Sequence, residues 1–156
     1  MNSTKPPLHL YVADSSGTYG EEQMPENSFS AIGDALEAAD RLSPVPESIA
    51  AELAEGKRYP SPEYDVQPVV IHIGEGIYRE KLVISRPNVT FLGEDRERTV
   101  IVFGHGANEI EEDGEKRGTF RTASVRVDAP DFIAKHVTFQ NDAGFGHTVG
   151  QAIALY

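Results

Sequence analysis

From Val69 onward the chain alternates apolar and polar residues with a period of two, in short runs that each close on a turn residue. The runs are Val69–Ile73, Gly74–Glu80, Lys81–Ile84, Asn88–Gly93, Thr99–Gly104, Ala123–Val127, Ile133–Gln140 and Gln151–Tyr156. Each reads as a strand with one buried face, and Pro130, Asn141 and Gly144 read as turns between the later ones. Leu8–Ala13 reads as an earlier strand, followed by a turn over Asp14–Tyr19 with Gly17 free to take a positive φ. Gly20–Pro25 reads as local padding. One helix stands out: Phe29, Ile32, Leu36 and Ala39 share a face, Asn27 or Ser28 is placed to cap it, and it ends before Pro44.

The strands repeat. Val70 to Val89 and Leu82 to Ile101 give one offset, about 19 residues, near the lower end of the range for stacked repeats. No helix-length segment separates the runs, which favours a parallel β-helix over a sandwich or a βαβ sheet. In such a solenoid the early helix covers the open apolar end. Ser43–Pro68 interrupts the pattern with five prolines. A short helix over Glu47–Glu55, closed by Gly56, fits between them, and the stretch reads as a surface excursion or a specificity loop. The expected organisation is a strand and capping helix over 8–42, an insertion over 43–68 and β-helix coils over 69–156.

At 156 residues the chain allows one domain. The absence of cysteine excludes disulfides and thiol chemistry. A formal charge of −11 argues against a nucleic-acid partner, and no apolar run is long enough to span a bilayer. Met1–Leu10 has no apolar core of a secretory signal, which by sequence points to the cytoplasm. The five histidines lack metal-ligand spacing, and no Gly-x-Ser-x-Gly elbow occurs. Gly74-Glu75-Gly76 reads as a turn, Asn88-Val89-Thr90 as a formal glycosylation acceptor, and the charged loop over Gly104–Gly118 as mobile.

Three segments, GTFRTASV from Gly118, DFIAKHVTFQNDAG from Asp131 and GQAIAL from Gly150, resemble the amino-terminal half of a pectinesterase (pectin methylesterase) catalytic domain. IGEGIYREKLVISRPNVTFLGEDRERTVIV from Ile73 is similar to the same family, so the likeness runs over Val69–Leu155 and, more loosely, Leu8–Ala39. It implies an all-β, right-handed parallel β-helix with an N-terminal capping helix, truncated at the C-terminal end. It implies hydrolysis of methyl esters of polygalacturonate, without cofactor or metal. Gln151 falls on the family's oxyanion-stabilising Gln, whose amide N–H can steady the charge of a tetrahedral intermediate. Thr119 falls on a Thr that contacts the sugar chain, and Phe120 is placed to stack on a sugar face or to enter the core. Asn141 and Asp142 read as turn residues, and His147 as a loop residue or as one bordering the cleft.

The family's chemistry uses two aspartates, with a second Gln, an Arg and a Trp beside them; the two aspartate segments follow the Gln151 position, and the 156 residues do not contain them. The chain by itself is therefore expected to be inactive, with a poorly protected Gln151–Tyr156 strand and an uncapped end open to self-association. Three other readings stay open: a galacturonan-binding β-helix without catalysis, a fragment with no function of its own, and a lyase of the same fold. The last normally wants clustered acids for calcium, and no strand supplies them. A polymer whose carboxyls are masked as methyl esters is not repelled by the acidic surface. The family is usually extracellular, in conflict with the absent signal.

Overall fold

The computed structural model describes residues 4–14, 25–57 and 65–156. Gly17 and most of Gly20–Pro25 lie outside the described residues. Among the described residues ten strands, all paired in parallel, form three sheets. They are β1 (Leu8–Val12), β2 (Ser28–Phe29), β3 (Val69–Ile73), β4 (Gly76–Arg79), β5 (Leu82–Ile84), β6 (Val89–Gly93), β7 (Thr99–Phe103), β8 (Val125–Val127), β9 (Ile133–Lys135) and β10 (Thr138–Asn141). The first sheet runs β2-β1-β3-β6-β9, the second β10-β7-β4 and the third β5-β8. From β3 onward the chain visits the three sheets in turn and stacks successive coils on one another, which is a parallel β-helix.

The period-two pattern sets the core. Within β3, Val69, Ile71 and Ile73 are buried while Val70 and His72 turn outward. Parallel register stacks like on like: Leu10 on Ile71 on Phe91 in the first sheet, and Tyr78 on Ile101 on Phe139 in the second. Leu82 stacks on Val125 in the third. Tyr78 brings a hydroxyl inside and satisfies it by donating to the Gly74 carbonyl at 2.9 Å. Burial, chiefly, pushes its phenol up to about 12.

The repeat is real but its register differs from the sequence pattern. Val69, not Val70, pairs with Val89, so one coil of the first sheet takes 20 residues. Leu82 does not stack on Ile101, which lies over Tyr78. A one-residue slip would turn every core side chain of a strand outward, so burial fixes what a word match misplaces. Ile133–Gln140, read as one strand, is two strands in different sheets, with His136 at φ 56° making the corner. Gly93 lies under that corner, and any Cβ there would strike the His136 carbonyl.

Helix α1 (Ile32–Leu42) packs against β1, β2 and β3 and buries Ile32, Ala35, Ala38 and Ala39. Its cap differs from the one expected. Ser28 belongs to β2, Asn27 lies further out, and Ala31 occupies the N-cap without a side-chain bond. The free N–H groups of Ile32 and Gly33 instead donate to the two carboxylate oxygens of Glu80, at 2.8 and 2.9 Å. A carboxylate at a helix N-terminus satisfies orphan donors and opposes the helix dipole. Glu80→Ala is expected to cost about 1–2 kcal/mol in urea unfolding, with Glu80→Gln between it and the parent.

A second helix, α2 (Glu47–Ala54), sits in the proline-rich excursion and ends at Gly56 in the left-handed region, φ 79°. The excursion is anchored by Arg86, which is 4% exposed. Arg86 donates to the Ser43 carbonyl at 2.8 Å and to Asp40 at 3.3 Å. The start of the chain is not loose where it is described: Gln67 donates to the Pro6 carbonyl, and Thr4 and Lys5 reach Asp65. Among the described residues no helix is long and apolar enough to cross a membrane.

Candidate functional site

Two of the segments carrying the resemblance, those from Gly118 and Gly150, meet beside the third sheet. Between β7 and β8 the chain leaves the coil, returns at Gly118 and makes a single 3-10 turn over Thr119–Thr122. Gly118 has φ 75°, a region that disfavours any side chain, so the turn begins on the residue that allows it. Between β10 and Gln151 lies a one-turn helix, α3 (Gly146–Val149), closed by Gly150 at φ 77°. The backbone then runs past the 3-10 turn.

This return is where the expected last strand fails to form. Of Gln151–Tyr156 only Leu155 makes a bridge, to Val125. Other bonds hold the segment: Ala107 N–H donates to the Gln151 carbonyl at 2.9 Å, and Ser124 and Val125 N–H donate to the Ile153 and Ala154 carbonyls. Ile153 N–H donates to Thr122 Oγ1 at 2.9 Å. The segment is irregular backbone pinned at several points rather than a frayed strand.

Asn141 is the hub of that pinning. Its Nδ2 lies 3.0 Å from each of the His105, Thr122 and Ile153 carbonyls, and its Oδ1 accepts from Ala143 N–H. One side chain thus ties the charged loop, the 3-10 turn and the returning segment together. Lys81 braces the other end of the turn, donating to the Arg121 and Ala123 carbonyls at 2.9 and 2.8 Å. Burial chiefly, then the nearby Arg117 and Arg126, push the Lys81 ammonium below its ordinary value. Asn141→Ala strands the His105 and Thr122 carbonyls and the Ala143 N–H, and is expected to cost roughly 2–3 kcal/mol. Denaturant titration beside Asp142→Asn, which leaves these bonds intact, checks it.

Within this frame Thr119 Oγ1 donates to Gln151 Oε1 at 2.7 Å. The bond spans 32 residues of sequence and orients the amide. Gln151 is exposed, and among the described residues no group accepts from its Nε2. Phe120 is 64% exposed and leans on Tyr156, with ring centroids 5.3 Å apart at 45°. It therefore lies on the surface beside the pair, and not in the core. The structure brings Thr119, Phe120 and Gln151 together and adds Tyr156. Sequence reasoning missed Lys81, Thr122 and Tyr156, because each acts through a non-local contact that no motif spells out.

The other flagged residues are engaged elsewhere. Asp142 forms a two-pronged ion pair with Arg79, at 2.7 and 3.2 Å, which holds its carboxyl below the usual range. His147 lies exposed in α3 against Phe145, and no hydrogen bond joins it to Gln151. The Gly104–Gly118 loop is knit by ion pairs from Arg117 to Glu109 and Glu111, at 3.0 and 3.1 Å, and by His105 to Glu109 at 2.7 Å. Asn88 donates its Nδ2 to the Val66 carbonyl and is half-buried, so the formal acceptor sequence is not a free surface amide. Among the described residues, no carboxylate hydrogen-bonds to Thr119 or Gln151, and no three His, Asp or Glu side chains converge on a metal site.

Comparison with known proteins gives this geometry a context. The pectinesterase family model matches residues 56–156, well over half of the chain. The chain belongs to the pectinesterase family. Pectinesterase QRT1 of Arabidopsis thaliana is 39% identical over 100 residues, covering 60% of this chain and 26% of that protein. Pectinesterase A of Dickeya dadantii is 38% identical over 78 residues, covering 50% and 21%. The chain thus spans about a quarter of the length of the curated relatives it matches. Among solved structures, the pectin methylesterase PemA from Erwinia chrysanthemi superposes with a TM-score of 0.64 and 26% identity, covering 100% of this chain and 39% of that one. The pectin methylesterase from carrot gives 0.59 and 29%, covering 99% and 37%. Thr119, Phe120 and Gln151 lie in the part of the chain that the pectinesterase family model covers, whereas α1 and the first half of the proline-rich excursion lie before it.

Proposed function

We propose that this pectinesterase-family chain forms the oxyanion side of a site that hydrolyses methyl esters of polygalacturonate to methanol and free carboxylate. One observation supports the reading above the others: the Thr119 hydroxyl donates to Gln151 Oε1, while the exposed amide's Nε2 has no acceptor among the described residues. When a nucleophile adds to an ester carbonyl, charge gathers on the carbonyl oxygen. A neutral, fixed N–H donor steadies that charge without competing for the carbonyl carbon. The exposed Phe120 and Tyr156 rings offer apolar faces on which a pyranose can rest beside the donor.

Nucleophile and proton donor are separate requirements, and general acid chemistry asks for two carboxyls in unlike environments. Asp142 is held ionised by Arg79, and Glu109 and Glu111 are engaged by Arg117. The proposal assigns the carboxyl roles to residues other than these and gives the present 156 residues binding and oxyanion stabilisation. The test is methanol release from highly methyl-esterified pectin by a form of the protein extended through further coils. Release that falls when Thr119 is changed to Val supports the reading. An extended form that binds esterified oligogalacturonide but never releases methanol would favour a binding protein instead.

A further inference from the structure

The outer face of β1 and β3 carries two imidazoles that take no part in the candidate site. Strand alternation buries Leu10 and Val12 with Ile71 and Ile73, and turns His9, Tyr11, Val70 and His72 outward. His9 Nδ1 lies 2.9 Å from His72 Nε2. The Tyr11 ring stacks on the His72 ring, with centroids 4.7 Å apart and planes at 14°. Continuous parallel pairing from Leu8 with Val69 to Val12 with Ile73 fixes the two strands against each other. The spacing of the imidazoles is therefore set by sheet backbone and by a stacked ring, not by a loose loop.

We propose that His9 and His72 form a two-nitrogen site for a divalent transition metal of the copper or nickel kind, which staples the first strand to the first full coil. Each ring already turns one nitrogen toward the other. Without metal, a single proton bridges them. With metal, that proton moves to the far nitrogen of its own ring, and both facing nitrogens become ligands, so a neutral pair releases no net charge.

The present 2.9 Å is a hydrogen-bond separation, and a rotation of both rings about their side-chain bonds would aim the two lone pairs at one ion. Affinity then selects the metal, since copper(II) leads the order for nitrogen ligands. Surroundings do not oppose the charge. β6 places Thr90 and Leu92 beside Val70 and His72, and Lys135 comes only one strand further along that row. The remaining positions on the metal fall to water, since among the described residues no third side-chain ligand completes a cluster.

Calorimetric titration of the 156-residue chain with copper(II) chloride at pH 7.5 tests the site, with electron paramagnetic resonance to count the nitrogen ligands. The expected result is one ion per chain and two equivalent nitrogens. His9→Ala and His72→Ala should each weaken binding roughly a hundredfold, because each removes one arm of a chelate, while His136→Ala leaves it unchanged. Metal should also raise the thermal midpoint of the parent but not of either variant, since it binds only where both strands are in place. Equal affinity of the parent and His9→Ala, or a single nitrogen in the spectrum, would overturn the proposal. The outcome does not depend on activity toward pectin.

Discussion

Replacing Phe91 by Ala should destabilise the fold by about 3–5 kcal/mol, the cost of emptying a buried aromatic site. Phe91 is fully buried at the centre of the first sheet's inner stack, with Ile71 on one side and Ala134 on the other. Phe132 meets it edge-on, at 5.2 Å and 84°. Both flanking strands are locked in register, so neighbours cannot slide in to fill the space without breaking ladder bonds. Domain stability is commonly only about 5–15 kcal/mol, and one such change removes a large share. Phe91→Leu keeps most of the volume and should cost under half as much. Urea unfolding followed by circular dichroism checks both, and a Phe91→Ala cost below about 1 kcal/mol would show that the stack is not the core.

Gln151→Ala should lower kcat on methyl-esterified pectin by roughly a hundred- to a thousandfold in an extended, active form, as loss of one oxyanion donor does elsewhere. KM should move little, because the donor acts on charge that develops after binding. Gln151→Glu is the sharper variant. It keeps the acceptor for the Thr119 hydroxyl and the packing, but puts a negative oxygen where the donors stood, so it should be at least as slow. Phe120→Ala should show the opposite split, raising KM with a smaller effect on kcat, if the ring carries sugar contact. A Gln151→Ala enzyme with unchanged kcat would remove Gln151 from the chemistry.

Much of the β-helix is legible in the chain because burial writes itself as a period of two. Val69–Ile73 and Asn88–Gly93 are readable on that basis alone. What resists reading is where one coil ends on another. Val70 and Val89 share a residue type but not a rung, since the pairing of Val69 with Val89 is fixed by side chains facing inward together. The Ile133–Gln140 run hides a corner because His136, neither Gly nor Pro, takes the left-handed conformation there. Helix α1 is visible from its apolar face, yet its cap comes from Glu80, 48 residues beyond Ile32. No local rule reaches that far.

The candidate site divides in the same way. Thr119, Phe120 and Gln151 are found from the resemblance, and the Asn141 turn from its residue type. The bond that makes Thr119 and Gln151 one unit is visible only when the coil closes. Reading Gln151–Tyr156 as a strand fails because its alternation matches a strand while Ile153 N–H bonds to the Thr122 side chain instead of a neighbouring backbone. Only its last residues reach a ladder, through backbone bonds of Ala154 and Tyr156 to Val125 and Val127.

The most direct test is methanol release from methyl-esterified pectin by the 156-residue chain, measured beside an extended form of the same protein. The account predicts release by the extended form alone, with the short chain binding esterified oligogalacturonide but turning over none. Release by the short chain would contradict it, and would mean that Asp142 or a carboxylate of the Gly104–Gly118 loop performs chemistry that the ion pairs to Arg79 and Arg117 are here taken to preclude.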